Sequence, residues 1–385
     1  MDRRIPSGIV APFSAIKVLG VARSRPSASH AHRLDVERDA SDTSRPTSER
    51  RHRVAVIGAG MAGLTCARTL ADHGLEVVVF DKGGRPGGRL ATREAEAGEY
   101  DHGAQYFTVR DPGFERRVAS WREAGLVAQW RGRIIRADAN QRAPVSATTR
   151  RFVGVPGMNS IAAHLAADLD VCSRKQVGSV TRRDGRWFLT IGAREEGPFD
   201  SLVLAVPAPQ AIPFLETLPE LTRQVESVQM NPCWAVLVSF PSAIDTDFDG
   251  AFVDGSPLSW ASRNASKPGR QTESWVLHAS HEWSAEHLED APQLVIDALL
   301  GAFADLAQCA LPRPIDLQAH LWRYALSAAS LAAPCLSQQD AGIVVCGDWC
   351  SGPRVEDAFL SGSAAAGRLL GWTQSTDPPG QRSLF

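Results

Sequence analysis

Gly58, Gly60 and Gly63, with Asp81 further on, have the types and spacing to hold a dinucleotide. Gly58 permits a tight turn, and Gly60 leaves no Cβ between the backbone and an approaching pyrophosphate. Gly63 allows a helix to pack closely on a sheet. The helix start, at Met61 and Ala62, offers free N–H groups and the positive end of a dipole to phosphates. Asp81 can accept hydrogen bonds from ribose hydroxyls. The glycines alone would be weak, since many turns are glycine-rich without binding anything. They gain force from the elements that must position them. Residues 53–57 are a short, β-branched apolar run, which predicts a buried parallel strand. Residues 64–73 predict a helix stopped by Gly74, and residues 76–80 a second strand ending on Asp81.

A second cluster of glycine and arginine begins directly after Asp81 and includes Gly87, Gly88, Arg89, Thr92 and Arg93. Its GG-R-x-x-[ST]-R pattern resembles the second motif of FAD-binding amine oxidases and desaturases. That likeness implies that Arg89 bonds the FAD diphosphate and that Gly87 and Gly88 pass close to the cofactor. It also implies that the segment Asp101-His102-Gly103-Ala104-Gln105-Tyr106-Phe107 runs beneath the flavin, with Gln105 and Tyr106 as contacts. Val177 would offer its backbone to the adenine. Gly347-Asp348 would place an acid on the ribityl chain, and Val355 and Glu356 stand near a helix start aimed at the flavin. His102 by itself reads more readily as structural than catalytic.

From about Val54 to Leu370 the chain resembles the bacterial renalase-like branch of the FAD-dependent amine oxidase superfamily. The resemblance is carried by Gly58–Gly63, Phe80-Asp81-Lys82, Gly87-Gly88-Arg89, Gly103-Ala104-Gln105-Tyr106-Phe107-Thr108, Val206-Pro207-Ala208-Pro209-Gln210, Trp322-Arg323-Tyr324-Ala325 and Cys346-Gly347-Asp348-Trp349-Cys350. It implies a non-covalent FAD and oxidation of aberrant dihydro isomers of β-NAD(P)H, with O2 reduced to H2O2. The alternative is an amine-oxidase or desaturase-type oxidase of another small molecule. Aromatisation of a dihydropyridine needs no general base, so the protein's task would be to hold the ring over the flavin. His278, Arg323 and Tyr324 are the candidate substrate contacts.

The chain of 385 residues has room for two domains around one cofactor, and its net charge of −2 argues against a nucleic-acid partner. No apolar run approaches the ~20 residues of a membrane span. Seven scattered cysteines, an odd number, fit reduced thiols in a cytoplasm. Cys346 and Cys350 have no partner pair elsewhere, so they read as packing thiols, and no metal site is expected.

The predicted fold class is α/β: a Rossmann-like FAD-binding domain with a parallel sheet, discontinuous in sequence, and a second α+β substrate domain. Residues 52–110, 150–210 and 335–372 are assigned to the first, and 111–149 with 211–334 to the second. Residues 1–51 hold ten Lys/Arg against six Asp/Glu and lack periodicity, which predicts a disordered extension; residues 373–385 read as a tail. Further elements expected are helices over 114–124, 161–167, 292–306 and 363–370, and a hairpin turning at Arg183-Asp184-Gly185. Strands are expected over 200–206, 234–240, 274–278 and 342–349. Trp121, Trp130 and most other tryptophans are assigned to the core.

Overall fold

The structure is a computed structural model that describes residues 51–146 and 148–375. The extension expected over residues 1–51 therefore lies, but for Arg51, outside the described residues, as does the tail beyond 375. A six-stranded sheet runs in the order Leu336–Gln338, Ile343–Val345, Ser201–Leu204, Arg53–Ile57, Glu76–Phe80, Asp170–Cys172. All its pairings are parallel except that of the edge strand Leu336–Gln338. Alternate strand residues point to opposite faces. Val54, Val56, Val77, Val79, Val203 and Val344 join one core cluster. Ala55, Ile57, Val78, Phe80, Leu202 and Leu204 join another. Both faces are covered, which is why these strands are unbroken apolar runs rather than alternating ones.

The first face carries the helices Met61–Asp72 and Val355–Ser375, which cross closely. A Cβ on Gly362 would lie 2.2 Å from the carbonyl oxygen of Ala62, so only glycine permits this approach. The helix Pro112–Glu123 joins the same core, with Phe114 and Trp121 at 5.0 and 6.0 Å from Phe359. It thus packs on the nucleotide-binding side, although the sequence grouped residue 111 onward with the second domain. The last helix begins at Val355, eight residues before its expected start at Ser363. The stretch preceding its small residues is itself helical, because Phe359 buries against the aromatic core.

The second sheet has seven strands, ordered Asp316–Ser327, Met230–Ser239, Ser274–Ala279, Leu258–Arg263, Gly250–Val253, Ile134–Ala137, Arg142–Pro144. One face packs on the helix Pro292–Ala307 through Trp234, Trp275, Leu299 and Phe303. The other faces a hairpin of Thr92–Ala95 and Gly98–Asp101, whose Tyr100 is buried with Leu237 and Val276. The strand Asp316–Ser327 was not anticipated as a strand. Its apolar half, Leu317, Ala319 and Leu321, lies against the helix-side core, so Gln318, His320 and Trp322 project the other way; beyond Trp322 the ladder is interrupted by a bulge.

Candidate active site

The glycine turn is built as the spacing requires. Gly58 has φ +110°, and a Cβ on Gly63 would sit 2.0 Å from the Gly58 oxygen and 2.9 Å from the Ala205 Cβ. Gly60, by contrast, faces open space: a Cβ there would meet nothing within 4 Å. Gly60 is also the N-cap of the helix Met61–Asp72, with no side-chain cap and no acid in the first turn. The amides of Met61, Ala62 and Gly63 thus open on a backbone cradle suited to a pyrophosphate. Gly87 meets Gly60 in a β-bridge, and Gly88, at φ +54°, keeps the second glycine cluster against the first.

Asp81 closes this turn. One carboxylate oxygen accepts from the Ala59 amide and the other from the Gly83 amide, both at 2.6 Å. Its outer lone pairs remain for ribose hydroxyls. Lys82 beside it is exposed. Val177 is buried in the same core cluster as Phe80.

Arg89 and Asp348, far apart in sequence, meet as a bidentate pair at 2.6 and 2.8 Å. Asp348 is 5% exposed and Gly347 precedes it at the helix start. Arg89 also donates to the Ala325 carbonyl at 2.8 Å, which ties the end of the strand Asp316–Ser327 to the cofactor side. A Cβ on Gly103 would lie 2.1 Å from the Arg89 oxygen, so the 101–107 segment runs tightly beneath Arg89. Val355 opens its helix, and one oxygen of the Glu356 carboxylate, Oε1, accepts from the Arg110 and Asp111 amides at 2.7 and 2.8 Å.

Beneath that segment lies a buried ionic hub that sequence reasoning missed. Asp101 bonds the Arg270 guanidinium and lies 3.6 Å from the Lys267 ammonium; it also accepts from Thr92 and Met158. Burial alone would raise the Asp101 pKa, but Lys267 and Arg270 outweigh it and hold the carboxyl below its usual range. Burial pushes Lys267 down to about 8, against the pull of Asp101. Lys267 donates to Gln105 at 2.9 Å, and Gln105 in turn bonds the backbone of Asp101 and Gly103. Gln105 thus braces its segment. Tyr106 packs between Trp130 and Trp260, at 6.0 and 5.6 Å. The only local signals for this hub were an acid before Gly103 and a Lys-Pro-Gly-Arg turn, and nothing in sequence joins them.

The wall opposite is aromatic and histidine-rich. The His102 carbonyl accepts from both His278 Nε2 at 3.1 Å and Trp322 Nε1 at 2.9 Å. The His102 ring lies 5.0 Å from Trp322 and 4.9 Å from His320. Arg93 reaches His320 Nδ1 at 3.1 Å and Gln318 at 3.3 Å. Burial holds His102 down to about 3, and His278 and His320 to about 4, so all three are neutral near pH 7. Of the three expected substrate contacts, Tyr324 lies in a bulge of the strand, between Trp322 and Leu326, next to the face of His320 and Trp322. His278 instead supports His102 from behind. Arg323 is turned away: strand parity puts it on the opposite face, where it pairs with the exposed Glu289 at 2.9 Å.

The residues present fit an FAD: an open phosphate cradle at Gly60, an acid at each end in Asp81 and Asp348, and Arg89 between them. Comparison with known proteins agrees. Residues 56–124 match the NAD(P)-binding Rossmann-like domain, and residues 128–370 match the flavin-containing amine oxidoreductase family. Hydroxyneurosporene desaturase of Rubrivivax gelatinosus is 39% identical over 100 residues, 23% of this chain and 19% of that protein. The mitochondrial protoporphyrinogen oxidase of Nicotiana tabacum is 46% identical over 56 residues, 14% of this chain and 11% of that protein. These matches span less than a quarter of either partner. Cyclohexylamine oxidase of Brevibacterium oxydans shares the fold, with a TM-score of 0.66 at 13% identity, over 84% of this chain and all of that one. The family match covers most of the chain and the cradle fits the cofactor, so the chain belongs to the flavin-containing amine oxidoreductases and is an FAD-dependent enzyme.

Proposed function

We propose that this enzyme oxidises dihydro isomers of β-NAD(P)H in the cytoplasm, with FAD held non-covalently and O2 as final acceptor. The chemistry FAD supplies when bound is acceptance of a hydride and delivery of electrons to O2, with H2O2 as product. The observation that carries the reading is the charge of the cleft. Arg93 makes no ion pair among the described residues; its fork is shared by Gln318 and His320. Lys267 and Arg270 share the single carboxylate of Asp101. The three histidines are neutral. Asp316, at the far end of the wall, is already held by Tyr100 and Gln318. An alkylammonium would meet the Arg93 guanidinium and no uncommitted carboxylate, with Lys267 and Arg270 buried behind, and one like charge about 6 Å away costs about 3 kcal/mol at an effective dielectric of about 20. A neutral dihydropyridine escapes that cost, whereas its pyridinium product incurs it, which favours release. Trp322, half-buried beside His320, offers a planar ring apolar surface. Seven free thiols support a reducing compartment.

The same charge argument favours a second reading, oxidation of another uncharged ring or polyene, in line with the names of the desaturase and protoporphyrinogen oxidase relatives. An anaerobic stopped-flow screen of the yellow holoprotein separates them. Bleaching by 2- and 6-dihydro-NAD, and not by putrescine or protoporphyrinogen, is the expected result. Bleaching by the amine alone would overturn the reading.

A further inference from the structure

We propose that His320 reads the ring substituent of the substrate, its Nε2–H, oriented by Arg93, donating to the carboxamide oxygen of a dihydronicotinamide laid against Trp322. This rests on the function proposed above and adds the residue that sets its specificity. A guanidinium only donates hydrogen bonds, so the 3.1 Å contact between Arg93 and His320 Nδ1 makes that nitrogen the acceptor. The imidazole proton is therefore on Nε2, and Nε2–H has no protein partner among the described residues. His320 is half-buried, so this donor is reachable from the cleft. His102, its neighbour, is not an equivalent candidate: its Nδ1 also lacks a partner but is wholly buried. His320 and Trp322 project from the same strand face with ring centroids 4.4 Å apart. The two ring planes stand at 77°, so Trp322 supplies one apolar face and His320 an oriented donor at its side, which suits a planar neutral ring bearing a carbonyl.

The wall is fixed in place from three directions. Trp322 is bonded to the His102 carbonyl, that carbonyl is bonded by His278, and the strand end is bonded by Arg89. The charged and titratable groups around His320 are Arg93 from the hairpin, His102 from the segment after it, His278 behind that segment, and Asp316 on its own strand, held by Tyr100. Arg93 acts as a positioning residue: it spends Nδ1 and opposes a second proton on the ring.

The test is equilibrium binding to oxidised holoenzyme, read by perturbation of the flavin spectrum, together with anaerobic bleaching. At about pH 8 nicotinamide should bind about tenfold more tightly than 3-methylpyridine, which has the ring but no carbonyl. His320→Leu should lose that preference and weaken the dihydro-NAD isomers to a similar degree, while His320→Gln, which restores an N–H donor, should recover most of it. Arg93→Met should weaken nicotinamide binding at about pH 8, where the released ring can carry its proton on Nδ1 instead, and acidification toward about pH 5.5, which makes both ring nitrogens donors, should recover it, while the wild type stays flat. Equal affinity of the wild type for nicotinamide and 3-methylpyridine overturns the proposal even if His320→Leu fails to hold FAD. So does a folded His320→Leu that behaves as wild type. If the isomers bleach the wild type but His320 proves indifferent, the function stands and this inference falls. If no isomer bleaches the wild type, both fall.

Discussion

Asp81→Ala tests the nucleotide site through two separate quantities. In the folded protein the Asp81 carboxylate accepts from the Ala59 and Gly83 amides at 2.6 Å each. Ala59 is 0% exposed, so removing its acceptor leaves a buried donor unpaired, at about 1–3 kcal/mol, and the Gly83 bond adds to that. A loss of about 2–4 kcal/mol is expected in the apoprotein. With an unfolding entropy of about 2.1 cal/mol/K per residue, a folded body of this size has about 0.7 kcal/mol/K, so Tm should fall by about 3–6 °C. The ribose bonds are a further term, present only with cofactor. At about 1.5–3 kcal/mol for charge-assisted bonds, they should weaken FAD binding by about one to two orders of magnitude. Asp81→Asn should fall between, because the amide can accept from one of the two backbone donors but presents an N–H to the other. The assay is titration of apoprotein with FAD beside melting curves of both forms. An unchanged apoprotein Tm would refute the clamp, and unchanged FAD affinity would refute the ribose contact. If only the first quantity moves, Asp81 braces the turn and nothing more.

Gly63→Ala should abolish FAD retention, because its Cβ would lie 2.0 Å from a backbone oxygen and the helix start must shift; a yellow, normally melting variant would contradict the packing argument. FAD should stay in the supernatant when the protein is precipitated with acid, and colour in the pellet would show a covalent bond. Acid should destabilise the fold early. His102 and His278 have folded pKa values of about 3 and about 4, below the unfolded value of about 6.5, so the folded state binds fewer protons. Nothing is lost above pH 6.5, and as pH falls from there toward the folded values each histidine should remove about 1.4 kcal/mol per unit. Urea melts that stay flat between about pH 7 and pH 5 would show that these rings titrate normally. Arg89→Ala leaves the 5%-exposed Asp348 without its cation and should cost about 3–5 kcal/mol, visible in thermal melts of the apoprotein.

The cofactor half of the molecule was legible because its signals are local. Arg53–Ile57 and Glu76–Phe80 have the bounds expected from their apolar runs, and each glycine of the turn answers to a backbone approach within a few residues or to an open face. The histidine and tryptophan wall was not legible, for a reason of parity. The run Trp322-Arg323-Tyr324 was visible as polar and aromatic, yet a strand sends neighbours to opposite faces. Deciding that Arg323 is the one turned away requires knowing that Leu317 and Leu321 pack under Pro292–Ala307. His278 looked like a ligand-facing histidine and proves to hold a backbone carbonyl. The Asp101, Lys267 and Arg270 hub spans some 169 residues of sequence, and no periodicity reports a contact made through the fold.

The order of strands in the six-stranded sheet has a consequence for how the protein is made. Its central strand, Arg53–Ile57, emerges from the ribosome early, yet its neighbour Ser201–Leu204 and then Ile343–Val345 follow at long intervals. Asp348, the acid that meets Arg89, comes later still. At typical synthesis rates of about 5–20 residues per second, the glycine cradle waits for tens of seconds before the pocket can close on a cofactor. Until Asp170–Cys172 and Ser201–Leu204 have been made, the outer edges of Val77–Phe80 and Val54–Ile57 have no final partner. The cradle alone therefore offers a cofactor only half its contacts, and a shortage of FAD acts on the chain only after Ile343–Val345 has joined the sheet.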